Sequence, residues 1–196
     1  ANENRSEWVI APTCYNHAYL GIDNQLWKTE DGGASFEMVY EFGSIASDRV
    51  TGIEISRVDP QVIYVVQRSS GNTKIYKTEN SWVTWNLLTL PAAFNSAGGI
   101  FISLSAESDD DLVIAYSVGG NNPNKVFRTQ DGGNIWTNYT SNMLNGHWPE
   151  AILYQGGTDG AIYLASNFSV FYRDDNSTDW ELINQGLPAK FMTNEL

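Results

Sequence analysis

The sequence predicts an all-β protein: a β-propeller of four four-stranded antiparallel blades, either a partial propeller or half of a larger ring. Three observations predict it. One pattern recurs four times along the 196 residues at blade-length spacing. Sixteen short apolar runs are separated by turn residues, and none shows a helical period. The composition is 42% hydrophobic, with 7 Trp, 10 Tyr and 8 Phe, while the 17 Gly fall mainly between β-branched and aromatic runs. That is the texture of short strands joined by tight turns.

The repeat reads LWKTEDGGASFEMVYEF from Leu26, IYKTENSWVTWNLLTLP from Ile75, VFRTQDGGNIWTNYTSN from Val126 and VFYRDDNSTDWELINQG from Val170. Each has an apolar and aromatic start, a polar turn, and an aromatic residue opening a second run. Those aromatics are Phe36, Trp85, Trp136 and Trp180, spaced 49, 51 and 44 residues apart, one blade per repeat. The strands follow in order. The first repeat supplies 7–13, 18–22, 26–29 and 36–42, and the second 50–56, 62–67, 74–78 and 85–90. The third supplies 99–105, 112–118, 125–129 and 135–140, and the fourth 151–156, 161–166, 170–174 and 180–184. The blades of this single segment, 1–196, are expected at about 1–43, 44–91, 92–143 and 144–190.

The octapeptide TEDGGASF at 29–36 has a physical logic. Asp31 can accept backbone N–H groups of its own tight turn. Gly33 permits a positive φ that a side chain would oppose. Thr29 and Ser35 tie the ends of the turn, and Phe36 plugs the gap between sheet layers. The second octapeptide keeps Thr78, Thr84 and Trp85, with Asn80 for Asp and Trp82 for Gly. The third keeps Thr129, Asp131, Gly133 and Trp136, with Ile135 for the second hydroxyl, and the fourth retains only Asp175 and Trp180.

In these octapeptides the chain resembles the Asp-box (BNR-type) β-propellers over nearly its whole length. That group includes sialidases, xyloglucanase-type glycosidases, sortilin-type receptors and a plant and cyanobacterial photosystem assembly factor. The resemblance implies structural staples on the face opposite the usual binding face. It also implies six to ten blades, more than the four present. Two readings of that deficit stay open: remaining blades supplied by a longer chain, which is favoured, or a second copy that completes the ring. An open propeller would otherwise expose strand edges and a sheet face.

The ligand face of a propeller is built from the loops joining the fourth strand to the next first strand, and the second strand to the third. Here these are 43–49, 91–99, 141–150, 68–73 and 119–124. In NGHWPE (145–150), Trp148 can stack on a sugar ring while His147 and Glu150 bond hydroxyls; the competing reading makes Trp148 a core plug. Asp48 and Arg49 are candidates or a solvated surface pair. Arg68 and Asn72 are candidates or an ordinary hairpin, and Asn121 and Asn122 candidates or a turn. The run ESDDDL at 107–112 lacks the alternating spacing of a calcium loop and reads as a solvated turn.

Composition narrows the function. A net charge of −12 disfavours nucleic acid as a partner. With only His17 and His147 and the lone Cys14, a zinc cluster cannot be assembled, and no metal or cofactor is expected; Cys14 reads as a buried small hydrophobe. There is no apolar run long enough for membrane insertion. The start ANENRSEW suits a mature end after signal cleavage and equally an arbitrary boundary; secretion or a cell-surface place, extracellular or periplasmic, is expected. Sequons stand at Asn4, Asn138, Asn167 and Asn176.

A sialidase would need an arginine triad, a Tyr–Glu pair and an Asp acid/base. The F-R-I-P stretch of that family is missing, and Arg5, Arg49, Arg57, Arg68, Arg128 and Arg173 are scattered. A glycosidase needs two facing carboxylates, for which Asp48 and Glu150 are the only candidates on the ligand face. No catalytic residue is therefore assigned. The expectation is a non-catalytic recognition module for a protein or polysaccharide ligand within a larger protein. The alternatives are part of a sialidase- or xyloglucanase-type hydrolase, or an assembly or structural factor.

Overall fold

The sixteen apolar runs form sixteen strands in the computed structural model, which describes residues 7–12, 16–43, 47–69, 72–91 and 99–185. Cys14, Asn4, Arg5 and parts of the 43–49, 68–73 and 91–99 loops lie outside the described residues. The first sheet holds β1 (Glu7–Ile10), β2 (Ala18–Ile22), β3 (Gln25–Thr29) and β4 (Glu37–Glu41). The second holds β5 (Arg49–Ile55), β6 (Ile63–Ser69), β7 (Asn72–Thr78) and β8 (Asn86–Leu87). The third holds β9 (Ile100–Leu104), β10 (Leu112–Tyr116), β11 (Val126–Thr129) and β12 (Thr137–Asn138), and the fourth β13 (Pro149–Tyr154), β14 (Ile162–Ser166), β15 (Val170–Arg173) and β16 (Glu181–Leu182). In every sheet the strands lie in chain order and pair antiparallel. First strands pack in succession, β1 on β5, β5 on β9 and β9 on β13. The architecture is all-β, a partial propeller of four blades.

Each seam between blades is a separate apolar layer, because side chains alternate across a strand and so serve two seams. Tyr19 and Leu26 of the first blade meet Ile53 and Val65 of the second. Tyr64 and Val66 meet Ile102 and Ile114 of the third, and Val113 and Ala115 meet Ile152 and Leu164 of the fourth. β10 is buried at all five positions, which is why LVIAY reads as continuously apolar.

The octapeptide turns are tied as their residue types dictate. Asp31 accepts from the Thr29 hydroxyl (2.8 Å), the Ser35 N–H (2.9 Å) and the Ser35 hydroxyl (2.6 Å), while Gly33 N–H donates to Thr29 Oγ1 (2.9 Å). The Ser35 bonds, then that of Thr29, hold the Asp31 carboxyl well below the usual carboxylate range. Asn80 reproduces the pattern, accepting from Thr84 N–H at 2.9 Å and donating to its hydroxyl at 2.8 Å. Ser81 and Trp82 adopt φ of 51° and 66°, where the first and third turns use glycine. The Trp82 ring offsets that strain by packing on Tyr19 (5.6 Å) and under the Lys28 ammonium (4.3 Å) of the first blade. In the third turn Asp131 accepts from Ile135 N–H (2.9 Å) and the Thr129 hydroxyl (2.8 Å), so the missing hydroxyl at Ile135 costs one bond and not the turn.

The fourth turn departs from the sequence reading. Asp174, not Asp175, accepts from Asn176 N–H (3.0 Å) and the Ser177 hydroxyl (2.7 Å). Asp175 is turned outward to pair with Arg128 of the third blade. The aromatics that open the fourth strands reach back to the preceding blade. Trp136 donates its indole N–H to Thr89 O (3.0 Å), and Trp180 to Tyr139 O (2.6 Å). Trp85 lies edge-on to Phe42 at 4.9 Å.

The aspartates of 107–112 are not a solvated turn. Asp109 accepts the Ser56 hydroxyl, and its carbonyl accepts the Tyr64 hydroxyl at 2.7 Å. Asp110 pairs with Lys77 at 2.7 Å. Asp111 pairs with Arg128 (2.9 and 2.7 Å) and accepts the Tyr154 hydroxyl at 2.8 Å. Cations projecting from β7 and β11 require these carboxylates, so a run that looks solvated in one dimension becomes the polar clasp of two seams.

Candidate functional site

The 3-10 turn at Asn142–Leu144 carries the chain from the third blade towards β13, capped by the Ser141 hydroxyl. Beside it lies the 119–124 loop between β10 and β11. A buried lysine joins the two. Lys125 enters β11 with its ammonium shut from solvent, donating to the carbonyl oxygens of Gly120 (2.8 Å), Leu144 (2.5 Å) and His147 (2.6 Å). Burial lowers its pKa, and three carbonyl dipoles replace the lost water. Gly146 N–H adds a bond to Gly120 O at 3.0 Å.

This clamp presents Trp148. Its indole lies against Gly119, where a Cβ would overlap the ring, so the glycine makes the seat. Trp148 is 50% exposed and therefore not a core plug. Its backbone is locked from the other side by the β14–β15 turn: Trp148 N–H donates to Asn167 Oδ1 (2.9 Å), and Asn167 N–H donates to Trp148 O (3.1 Å). The same turn exposes Phe168. The His147 ring is edge-on to Phe171 (4.8 Å) and Phe168 (6.4 Å), with Nδ1 3.1 Å from the Ser166 hydroxyl. Burial, then the Lys125 charge, lowers the His147 pKa, so the imidazole is neutral at pH 7. Trp148 and Phe168 are thus two exposed aromatic residues on turns joined by the Trp148–Asn167 bonds, and Trp148 with its glycine seat is the candidate platform.

Of the other sequence candidates, Asn121 is exposed on the clamped 119–124 loop, whereas Asn122 closes its turn by accepting Asn124 N–H at 2.9 Å. Glu150 is exposed at the irregularity between Pro149 and Ala151 where β13 slips against β14. Asp48 is buried and so is not half of a solvated surface pair; it packs beside Gly43 and Gln67. Arg49 and Arg68 are exposed and face each other across β5 and β6, with Asn72 exposed at the start of β7. Among the described residues, no group of three His, Cys, Asp or Glu is placed to hold a metal ion.

Sequence reading missed Lys125, Gly119, Asn167 and Phe168. Lys125 opens a strand like any repeat residue, and only its three converging carbonyls reveal its role. Phe168 lies in a second-to-third-strand turn equivalent to 119–124, a signal that was present in the repeat register.

No protein-family model matches this sequence, and no curated protein matches it. Solved structures do. The GH74 enzyme of Niastella koreensis superposes with a TM-score of 0.64 at 20% identity, over 89% of this chain and 30% of that one. YCF48 bound to a D1 peptide gives 0.63 at 16% identity, over 94% and 58%. The GH74 xyloglucanase of Xanthomonas campestris gives 0.66 at 14% identity, over 84% and 27%. This chain thus spans less than two thirds of each of these neighbours, and at such identities the likeness concerns the fold. The chain is a four-bladed β-propeller segment.

Proposed function

We propose that this chain is a non-catalytic recognition module, secreted or displayed at a cell surface, that binds a polysaccharide through the Trp148 platform. One observation carries the reading: a half-exposed indole seated on a glycine and held by reciprocal backbone bonds. A rigid exposed ring offers a sugar face a flat apolar partner at little entropic cost. Phe168 and Asn121 are exposed on the two turns bonded to this segment. The octapeptide turns support membership of the Asp-box group, whose staples lie away from the ligand.

The hydrolase reading has less support, because Asp48 is buried beside Gly43 and Gln67 while Glu150 is exposed at the start of β13. A peptide ligand, as in the YCF48 complex with a D1 peptide, remains the second reading, favoured by the exposed Arg49 and Arg68. The test is calorimetric titration with xyloglucan and cellulose oligosaccharides, comparing wild type with Trp148→Ala. Binding that Trp148→Ala abolishes while the melting temperature shifts only a few degrees supports the proposal. Binding that survives the substitution, or the absence of binding to any glycan tried, sinks it.

A further inference from the structure

Asn145–Gly146 is the only Asn–Gly pair in the 196 residues. Asparagine amides are thermolabile, and a following glycine leaves the next backbone nitrogen least hindered. Asn145 is exposed, and beyond the chain neighbours a Cβ at Gly146 would meet nothing within 4 Å. The pair forms the middle of a tight turn. Asn145 has φ −64° and ψ 134°, Gly146 has φ 79°, and His147 N–H donates to Leu144 O at 3.2 Å. That is a type II turn over Leu144–His147, which requires a positive φ at its third residue.

We infer that Asn145 is a site of spontaneous conversion to aspartate and isoaspartate, and that the Lys125 clamp restrains it. In the reaction the Gly146 nitrogen loses its proton to solvent base and bonds to Asn145 Cγ. The Cγ–Nδ2 bond breaks, and ammonia leaves with a proton returned from solvent. A cyclic imide remains. Water then adds to one of its two carbonyl carbons and opens the ring. Attack at the side-chain carbonyl gives aspartate; attack at the backbone carbonyl leaves Gly146 joined through the side chain, as isoaspartate. Water is the only reagent consumed.

The folded turn opposes the first step. At ψ 134° the Gly146 nitrogen is rotated away from the Asn145 side chain, whereas closure needs it eclipsed with Cβ. Gly146 N–H is engaged, donating to Gly120 O at 3.0 Å, an oxygen that Lys125 Nζ also holds at 2.8 Å. The Asn145 amide donates to Asn142 Oδ1 at 3.3 Å, which ties the side chain to the 3-10 turn. Lys125 further binds Leu144 O and His147 O, the carbonyls on either side of the pair. Rotating the 145–146 peptide therefore means opening the clamp.

Conversion undoes what the clamp builds. Isoaspartate adds a carbon to the backbone between Leu144 and His147, whose carbonyls must both reach one ammonium. Trp148 follows directly, so its mount loosens with the turn. The chemistry does not depend on what Trp148 binds.

Peptide mapping by mass spectrometry, on the whole chain incubated in mildly alkaline buffer, tests this. A synthetic peptide of residues 141–150 gives the unrestrained rate. Folded wild type should convert at Asn145 about tenfold more slowly than the peptide, since hydrogen bonds of the turn must open first. Lys125→Met should convert faster than wild type, and urea should bring wild type to the peptide's rate without any substitution. Hydrogen exchange at the Trp148 amide, which is bonded to Asn167, should quicken in the converted chain and stay slow in Asn145→Gln. Folded wild type that reacts at the peptide's rate, or Lys125→Met that reacts no faster than wild type, overturns the restraint. Asn145 left intact in urea while other asparagines convert overturns the site. Unchanged Trp148 exchange after conversion overturns the link to its mount.

Discussion

The ammonium of Lys125 lies 2.6 Å from the carbonyl oxygen of His147, the residue before the exposed tryptophan. A buried charge thereby fixes the backbone of a surface platform. Replacing it with methionine removes a donor shared by three carbonyls, of which Gly120 O keeps the Gly146 N–H and Leu144 O the His147 N–H, a cost of about 1–3 kcal/mol given the usual penalty for an unsatisfied buried group. Lys125→Met should therefore lower the urea midpoint and weaken glycan binding at least tenfold. Gly119→Ala separates the two effects: it should displace the indole and weaken binding while moving the midpoint little. Unchanged affinity in both variants would detach the clamp from recognition.

Arg128 is the second buried cation, and its place is different. Burial alone would lower its pKa, but the bonds to Asp111 and Asp175 outweigh that and hold the guanidinium above its ordinary value. Arg128→Met leaves Asp111 mostly buried without its partner, so a loss of about 3–5 kcal/mol is expected by chemical denaturation. Asp175→Asn, at the more exposed end, should cost less than about 1 kcal/mol. Equal losses would mean that the clasp across the seam, and not the pair within the third blade, dominates.

The octapeptide tryptophans should respond unequally to loss of the indole N–H. Trp180 donates to Tyr139 O, so Trp180→Phe should destabilise the chain by about 1–2 kcal/mol. The Trp85 N–H is buried without an acceptor, so Trp85→Phe should be neutral or stabilising. Thermal melts of the two variants decide the point, and an equal loss would show that ring size matters more than the donor.

Glu54 gives the fold a pH dependence. Burial between the second and third blades pushes its carboxyl up to about 7, only partly countered by the Leu104 N–H and by Arg57. A carboxyl raised above its unfolded value favours the protonated folded state. The stability this confers is complete below about pH 4.5 and lost as pH rises through 7, a change of about 3 kcal/mol. Glu54→Gln should flatten the profile between pH 5 and 8 and raise the midpoint at pH 8. A wild-type midpoint that rises over that window would contradict the assignment.

The sequence by itself determined the strands, their grouping in fours and the two intact turns. Those features depend on local rules: side-chain alternation, β-branched runs, and the glycine and aspartate chemistry of tight turns. TEDGGASF and TQDGGNIW name their own hydrogen bonds, because donor and acceptor lie within five residues. Tertiary structure decided what depends on approach between distant segments. Asp175 left its turn because Arg128, far away in the chain, reaches it. Asp110 and Asp111 became clasps because Lys77 and Arg128 face them across and within seams. Trp148 came to lie on the surface because Gly119 leaves room only for a ring above it, and Lys125 gathers loops that no periodicity brings together. Spacing along a strand encodes the face a residue takes, but the partner it meets there is set by packing between blades.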